Sequence, residues 1–277
     1  MPRFKLVIEY AGTRYSGWQI QKNARTVAGE IDRAIRDVTR RREFELYGAG
    51  RTDAGVHALG QIAHLDIYTD LPPGTLRHRI NDALPSDIYI RAIDPVPHRF
   101  HARHHARQRC YIYQISRRKT AFHKPYVWWI KDPLDAAAMR AAAAAFVGMR
   151  DFASFTADEP EEKSTRVLIE RLEIAEDGDL VLIRIAGSHF LWRMVRRVVG
   201  VLAAVGRGEL STADAAGFLD ERSEVPATLT APASGLFLES VFYTEEEQPA
   251  ELRAVPGVPA ALTSPRAQHK GTKAPRH

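Results

Sequence analysis

The chain has 277 residues, of which 45% are hydrophobic and 26% are charged, a composition typical of a folded globular protein with one large domain or two ordinary ones. No run approaches the ~18 apolar residues that a transmembrane helix requires, so we expect no membrane-spanning segment. Lys and Arg number 39 against 34 Asp and Glu, which gives a mildly basic net charge of +5.

The first third of the chain predicts three strands and two helices. Residues 4–10 alternate between apolar and polar and predict a strand. Thr26 is the expected N-cap of a helix, because apolar residues recur at helical spacing from 27 to 38. Strands are expected at 43–47 and 61–68, joined by the irregular GAGRTDAG, and a short helix at 75–84, ended by Pro85.

The remainder predicts a second set of mixed elements. The run DPVPHRF interrupts the pattern and indicates a domain boundary at residue 97. Beyond it we expect a strand at 111–115, an alanine-rich helix at 133–147, a hairpin of strands 167–175 and 180–185 around Asp177-Gly178, a long helix at 190–205, a helix starting near Ser211, and a strand at 236–243.

Strands and helices in mixed order favour an α+β protein with largely antiparallel sheets. We expect two domains, 1–97 and 98–244. Residues 245–277 contain five prolines, few bulky apolar residues and the basic end HKGTKAPRH, so they predict a disordered basic tail.

A stretch of one charge sign follows the boundary. Residues 98–124 contain eight Arg or Lys, five His and no Asp or Glu, which suits a polyanion because neutralised phosphates release counterions. A solvated charged face is the alternative. Interleaved aromatic residues favour nucleic acid. These aromatic residues are Phe100, Tyr111 and Tyr113, and the candidate phosphate contacts are Arg103, Arg107 and Arg109.

Several other reactive side chains are interpreted as structural. The single cysteine, Cys110, excludes an internal disulfide and a cysteine-built zinc site and is typical of a reducing cytoplasm. From the strand-like alternation of the first residues we expect no signal peptide. The histidines between 98 and 105 lie among arginines without an acidic partner, so we expect no metal there. His57 is expected to hold a loop.

The segment GAGRTDAGVHALGQ, residues 48–61, carries the strongest chemical signal. Asp53 is a lone carboxylate in a loop of small residues, and Arg51 lies two positions before it. Small residues let a bulky substrate approach closely, although an ordinary Asp-Ala-Gly turn explains the pattern equally well. Since no nucleotide, zinc or serine-nucleophile motif occurs in the sequence, any chemistry must depend on a carboxylate.

GAGRTDAGVHA closely resembles the signature of the TruA family of tRNA pseudouridine synthases. Further segments resemble family motifs in the family's order: EYAGTRYSGWQIQ, IND-ALP, FHARHHARQRCYIY, DFASF, HFLWRMVRRVVG and GLFL, which together span residues 4 to about 243. The resemblance implies the pseudouridine synthase fold, with two sheets meeting at a central basic cleft.

The resemblance also implies roles for four residues. The family's catalytic aspartate falls on Asp53, its substrate-stacking tyrosine on Tyr111, and its carboxylate-pairing arginine on Arg196. Arg51 matches the arginine thought to displace the target nucleotide. The chain departs from the family pattern outside the catalytic motif, at Ala11, Cys110, His189 and Trp192.

By the same resemblance, we expect isomerisation of uridine to pseudouridine at positions 38, 39 and 40 of the tRNA anticodon arm. The family implies no metal or cofactor, a homodimer with one tRNA across both subunits, and a cytoplasmic location. Two alternatives stay open at this point: a non-catalytic RNA-binding or chaperone protein, and a related synthase with another RNA target.

Overall fold

The computed structural model of the chain describes residues 1–157, 164–244 and 251–255. In these ranges ten strands form one sheet. The strands are β1 Arg3–Tyr10, β2 Glu45–Gly48, β3 His57–Asp66, β4 Ile88–Val96, β5 Gln108–Ser116, β6 Trp128–Trp129, β7 Gly148–Asp151, β8 Arg166–Asp177, β9 Leu180–Gly187 and β10 Leu236–Phe242. Their order is β4-β1-β3-β10-β5-β9-β8-β7, with β2 on β3 and β6 on β5.

Most neighbouring strands are antiparallel; β10 with β3 and β6 with β5 are the parallel pairs of the described sheet. Six α-helices accompany these strands in the described ranges: α1 Val27–Thr39, α2 Pro73–Ala83, α3 Ala136–Ala143, α4 Met194–Gly206, α5 Thr212–Asp220 and α6 Val225–Thr228. The predicted α+β class with a largely antiparallel sheet is confirmed. None of the described helices has the length and apolarity needed to cross a membrane.

Side-chain caps lie at two helix starts, Thr26, which was predicted as an N-cap, and Ser211, near which a helix was predicted to begin. The Thr26 hydroxyl accepts a hydrogen bond from the backbone N–H of Gly29 at the start of α1. Ser211 and Asp214 form a reciprocal capping box at the start of α5. Because such caps satisfy N–H groups that lack partners within the helix, they fix where the helix begins.

Strand β4 was not predicted. The run DPVPHRF begins inside it, since Asp94, Pro95 and Val96 are its last residues. Strand β4 is an edge strand that pairs with β1 alone among the described strands. A proline is tolerated there because an edge strand leaves one side of its backbone without sheet partners.

Two predicted helices are shorter than expected. Helix α3 begins after Asp135, whose carboxylate accepts from two backbone N–H groups, and it gives way to a 3-10 turn at Ala144–Phe146. Helix α4 begins at Met194 because Arg193 before it adopts a left-handed conformation, with φ 62°. Residues 190–193, predicted as helix, instead form a non-helical approach to α4.

Two large hydrophobic clusters flank the middle of the sheet. One contains buried side chains of β1, β3 and β4 with α1 and α2, and the other contains those of β5, β8 and β9 with α3 and α4. Tyr111 packs against both clusters. Strand β10 joins the two halves, since Leu238 pairs with Ala58 of β3 and with Tyr111 of β5. The division at residue 97 stays a prediction, but the sheet runs without a break across both halves.

A short segment of the expected disordered tail, residues 251–255, packs against the sheet through its apolar side chains. Val255 is buried beside Phe237 and Ile112, and its backbone N–H donates to the side-chain oxygen of Gln114 at 2.8 Å. Leu252 packs beside these residues. For residues 251–255 the prediction of disorder is therefore wrong, because two apolar side chains and a backbone hydrogen bond attach them to the sheet. Residues 245–250 and 256–277 lie outside the described residues.

Ending the chain after residue 250 should destabilise the fold, whereas ending it after residue 255 should not. The shorter chain loses the burial of Val255 and part of that of Leu252, so its free energy of unfolding should fall by about 2–3 kcal/mol. Urea unfolding of the two truncated chains beside the full chain measures this. Identical unfolding midpoints for the two truncated chains would contradict the packing of this segment.

Candidate active site

The loop GAGRTDAG connects β2 to β3, and its backbone is fixed at both ends. The N–H of Ala49 donates to the carbonyl of Ile62 at 2.7 Å. At the other end, the N–H of Val56 donates to the carbonyl of Asp53 at 3.1 Å and closes a four-residue turn. Gly55, the third residue of that turn, has φ 79°, a conformation that glycine adopts without steric cost.

The segment after β1 supports this loop from beneath. Gly17, with φ 93°, lies so close that a Cβ there would come within 2.5 Å of the carbonyl oxygen of Thr52. The N–H of Trp18 donates to the same oxygen at 3.1 Å, and the hydroxyls of Thr52 and Tyr10 are 2.8 Å apart. The residue before Asp53 is thus held by both its backbone and its side chain.

The Asp53 carboxylate meets Arg196 of α4, with 3.5 Å between Oδ2 and Nη1. The side chains are 27% and 17% exposed, so a ligand can reach both. Two hydrogen bonds with Ala231 hold Arg196 in place. The Nε of Arg196 donates to the carbonyl of Ala231 at 2.7 Å, and the carbonyl of Arg196 accepts from the N–H of Ala231 at 3.0 Å. The structure therefore brings together two residues that are 143 positions apart.

Tyr111 lies beside this pair on β5 and is half-buried. The ring of Phe190 packs edge-on against it, with 5.1 Å between centroids. Burial and the nearby Asp53 carboxylate raise the pKa of Tyr111 to about 12, and the Arg109 guanidinium acts in the opposite direction. The phenol is therefore protonated at neutral pH.

Arg51 is placed differently from the other three residues. Its side chain is exposed and, within the described ranges, makes no hydrogen bond or ion pair. Among the described residues, Arg196 and not Arg51 forms the ion pair with Asp53. Its guanidinium is directed to solvent, where an anionic ligand can meet it.

His57 and Cys110 are engaged in structural contacts, as the sequence indicated. The N–H of Gly12 donates to Nδ1 of His57 at 3.0 Å, and Nε2 of His57 lies 2.9 Å from the carbonyl of Pro125. Burial lowers the pKa of His57, which favours the neutral ring. The Cys110 thiol donates to Glu239 at 2.9 Å, and burial raises its pKa.

The basic stretch 98–124 is divided by β5 into two separate regions. Strand β5 has nine residues and is therefore about 30 Å long. Arg117 and Arg118, beyond its far end, pair with Glu176 at 2.7 Å and Asp179 at 2.9 Å. Residues 98–107 lie at the near end, close to the Asp53 loop. The stretch is thus divided into two separate surfaces, and residues 98–107 lie on the one that adjoins the Asp53 loop.

The histidines of that first part hold a turn. Nδ1 of His101 accepts from the N–H groups of Arg103 and His104, both at 3.2 Å, and Nδ1 of His64 accepts from the N–H of Ala102 at 3.2 Å. Among the described residues, no three His, Cys, Asp or Glu side chains are grouped so as to hold a metal ion.

Sequence reasoning missed three contributors to the site: Phe190, Ala231 and Arg109. Phe190 was assigned to a helix, and no element or role was predicted for Ala231. Arg109 was taken as a phosphate contact, but it is half-buried and donates to four backbone carbonyls. Strand alternation could have revealed it, since Arg109 and Tyr111 are two positions apart and share a face of β5.

A family model described as tRNA pseudouridine synthase matches residues 6–105 and 142–244. The chain belongs to this family. A tRNA pseudouridine synthase A of Rhodopseudomonas palustris is 41% identical over 246 residues, covering 88% of this chain and 100% of the relative. The enzyme of the same name from Pseudothermotoga lettingae is 38% identical, and the match covers 87% of this chain and 99% of the relative. That of a Thermoanaerobacter species is also 38% identical, and the match covers 88% of this chain and 100% of the relative. The resemblance found in the motifs is confirmed.

Stability should depend on pH through His64. Burial, with the nearby charge of Arg3, lowers its pKa from 6.5 to about 4. Between pH 4 and 6.5 the unfolded state therefore binds more protons than the folded state, so the free energy of unfolding falls as pH is lowered through this window. In His64→Gln, which keeps an acceptor but cannot titrate, the fall should be smaller when urea unfolding is followed from pH 7 to 4.

The exposed His78 provides the matched control. His78→Gln should retain the pH dependence of the parent. If His64→Gln and the parent lose stability equally over this window, His64 does not carry the effect.

Proposed function

We propose that the chain isomerises uridine to pseudouridine at positions 38, 39 and 40 of the tRNA anticodon arm, with Asp53 as the essential carboxylate and without metal or cofactor. Family membership supports the reaction. One observation supports the residue: Asp53 is an accessible carboxylate in a rigid loop, 3.5 Å from Arg196 and beside Tyr111.

Pseudouridine formation breaks the N1–C1′ bond, turns the base and joins C5 to C1′. The proton leaves C5 and N1 gains one, so the reaction has no net redox change and requires no cofactor. Asp53 can add to the uracil, add to C1′, or remove the C2′ proton. Each route requires an ionised carboxylate at a fixed position.

Arg196 orients that carboxylate in the proposed mechanism. Charge-assisted contacts with a guanidinium favour the ionised form of a carboxylate and restrict its rotation. Because the Arg196 Nε is committed to Ala231, the guanidinium can hold Asp53 without following it when substrate enters. The 3.5 Å separation leaves the carboxylate free to turn toward a ribose or base.

Tyr111 receives the base. The target uridine must leave its stack, which costs a few kcal/mol, and stacking on an aromatic ring returns about 1–3 kcal/mol. The edge-on contact with Phe190 fixes the ring so that one face can remain available. Since the phenol is protonated at neutral pH, we assign stacking as its main role. A part in the loss of the C5 proton follows from family resemblance alone.

Arg51 is proposed to help displace the target nucleotide, because its exposed guanidinium precedes Asp53 by two residues.

The choice of which uridine is modified then follows from the shape and backbone of the anticodon arm, as is usual for structured RNA. We extend the proposal to a homodimer binding one tRNA across both subunits and to a cytoplasmic location. The reduced, buried Cys110 is consistent with that compartment.

Asp53→Asn should abolish turnover and leave tRNA affinity nearly unchanged, because the amide keeps the shape of the side chain but cannot act as nucleophile or base. Tritium release from tRNA labelled at uridine C5 measures turnover, and filter binding measures affinity. Substantial release from the variant would refute the role of Asp53.

The parent protein separates the proposal from a binding-only function. If the parent binds tRNA without releasing tritium, the activity or its RNA target is wrong. Mapping pseudouridine in tRNA modified by the parent tests positions 38, 39 and 40 directly.

Arg103→Gln with Arg107→Gln should weaken tRNA binding and reduce its salt dependence. Both side chains are exposed near the site, and each lost phosphate contact lowers the slope of log K against log salt by about 1. Arg118→Gln is the control, because Arg118 pairs with Asp179 beyond the far end of β5. An unchanged slope in the double variant would leave residues 98–107 as a solvated face.

A further inference from the structure

Arg109 of β5 contacts four separate points of the backbone. Its Nη1 donates to the carbonyls of Ala106 at 3.0 Å and Ser188 at 2.7 Å. Its Nη2 donates to the carbonyls of Arg103 at 2.7 Å and Ala49 at 3.3 Å. One side chain thus joins the start of the Asp53 loop, the turn of the basic segment and the end of β9.

These contacts leave Arg109 little capacity to bind RNA. A guanidinium has five N–H donors, and four of those of Arg109 are used by carbonyls. The side chain is half-buried, and in the part of the chain that the structure describes no carboxylate pairs with it. Burial lowers its pKa below the ordinary value. Burying a cation is costly unless its donors are satisfied, so the four carbonyls account for its stable placement.

The anchored points flank both sides of the proposed site. Ala49 lies four residues before Asp53, in the same loop. Ser188 lies two residues before Phe190, whose ring packs against Tyr111. A change in the Arg109 contacts would therefore move the carboxylate relative to the stacking ring.

We propose that Arg109 is a positioning residue that sets the Asp53 loop against the Tyr111–Phe190 pair. This inference rests on the proposed function. Displacing a reacting group by about 1 Å can cost about a hundredfold in rate, so a contact that never touches substrate can control the chemical step. The planar fork of arginine suits two carbonyls on each terminal nitrogen, which lysine cannot reproduce.

The test compares Arg109→Gln and Arg109→Lys with the parent in single-turnover pseudouridine formation at saturating tRNA. We expect the rate constant to fall at least about tenfold in Arg109→Gln and less in Arg109→Lys, which restores some donors. The Kd for tRNA should stay within about threefold of the parent, and its salt slope should be unchanged. Arg118→Gln should match the parent in rate, Kd and slope.

A raised Kd and a lower salt slope with an unchanged saturating rate would make Arg109 a phosphate contact and overturn the proposal. Hydrogen exchange of Arg109→Lys separates positioning from general instability. Faster exchange confined to the anchored segments, amides 49–56, 103–106 and 188–190, supports positioning, and a uniform increase across both hydrophobic clusters contradicts it. A parent that forms no pseudouridine refutes the proposed function instead, because the exchange result is measured without turnover.

Discussion

The placement of β10 is the constraint on which the site depends. This strand comes last among the ten, yet it lies between β3 and β5 and bonds to both. It sets β3 and β5 two strand spacings apart, about 10 Å. The loop that carries Asp53 leads into β3, and Tyr111 lies on β5, so the strand between them fixes the width of the candidate site. If the sheet were interrupted at β10, its two halves could move relative to each other. The distance between the Asp53 carboxylate and the Tyr111 ring would then no longer be fixed.

The segment leading into β10 also holds Arg196, the residue of α4 that faces Asp53. Ala231 binds the backbone and side chain of Arg196, and the carbonyl of Pro232 accepts from the Tyr113 hydroxyl at 2.8 Å. A Cβ on Gly235 would meet the Tyr113 ring at 2.6 Å, so only glycine lets the segment pass so close. Inserting β10 therefore also anchors the arginine that faces Asp53. The segment leading into β10 therefore connects the middle of the sheet to Arg196 through the hydrogen bonds of Ala231.

Local signals in the sequence predicted those features that depend on neighbouring residues. Thr26 and Ser211 marked helix starts because a cap acts within three residues, and the motif around Asp53 identified its loop through the family resemblance. Strand β4 was missed because its register comes from pairing with β1 and its proline argued against a strand. The late start of α4 follows from the left-handed backbone of Arg193, which the helical spacing of the apolar residues over 190–205 does not reveal. The partial burial of Arg109 could not be predicted either, because a run of basic residues does not show which side chain lies against the protein.

The three arginines around Asp53 show how one residue type serves different purposes in one site. Arg196 faces a carboxylate and is anchored by a carbonyl, Arg109 donates to four backbone carbonyls, and Arg51 is directed to solvent. Their charges exceed that of the single carboxylate, so the site has a positive surplus that favours phosphate groups. A lone aspartate would otherwise repel the RNA backbone that must approach it. Because protein groups hold the guanidiniums of Arg196 and Arg109, a phosphate group cannot readily displace them, and under the proposed function the positive surplus can attract RNA while the contact between Arg196 and Asp53 is kept.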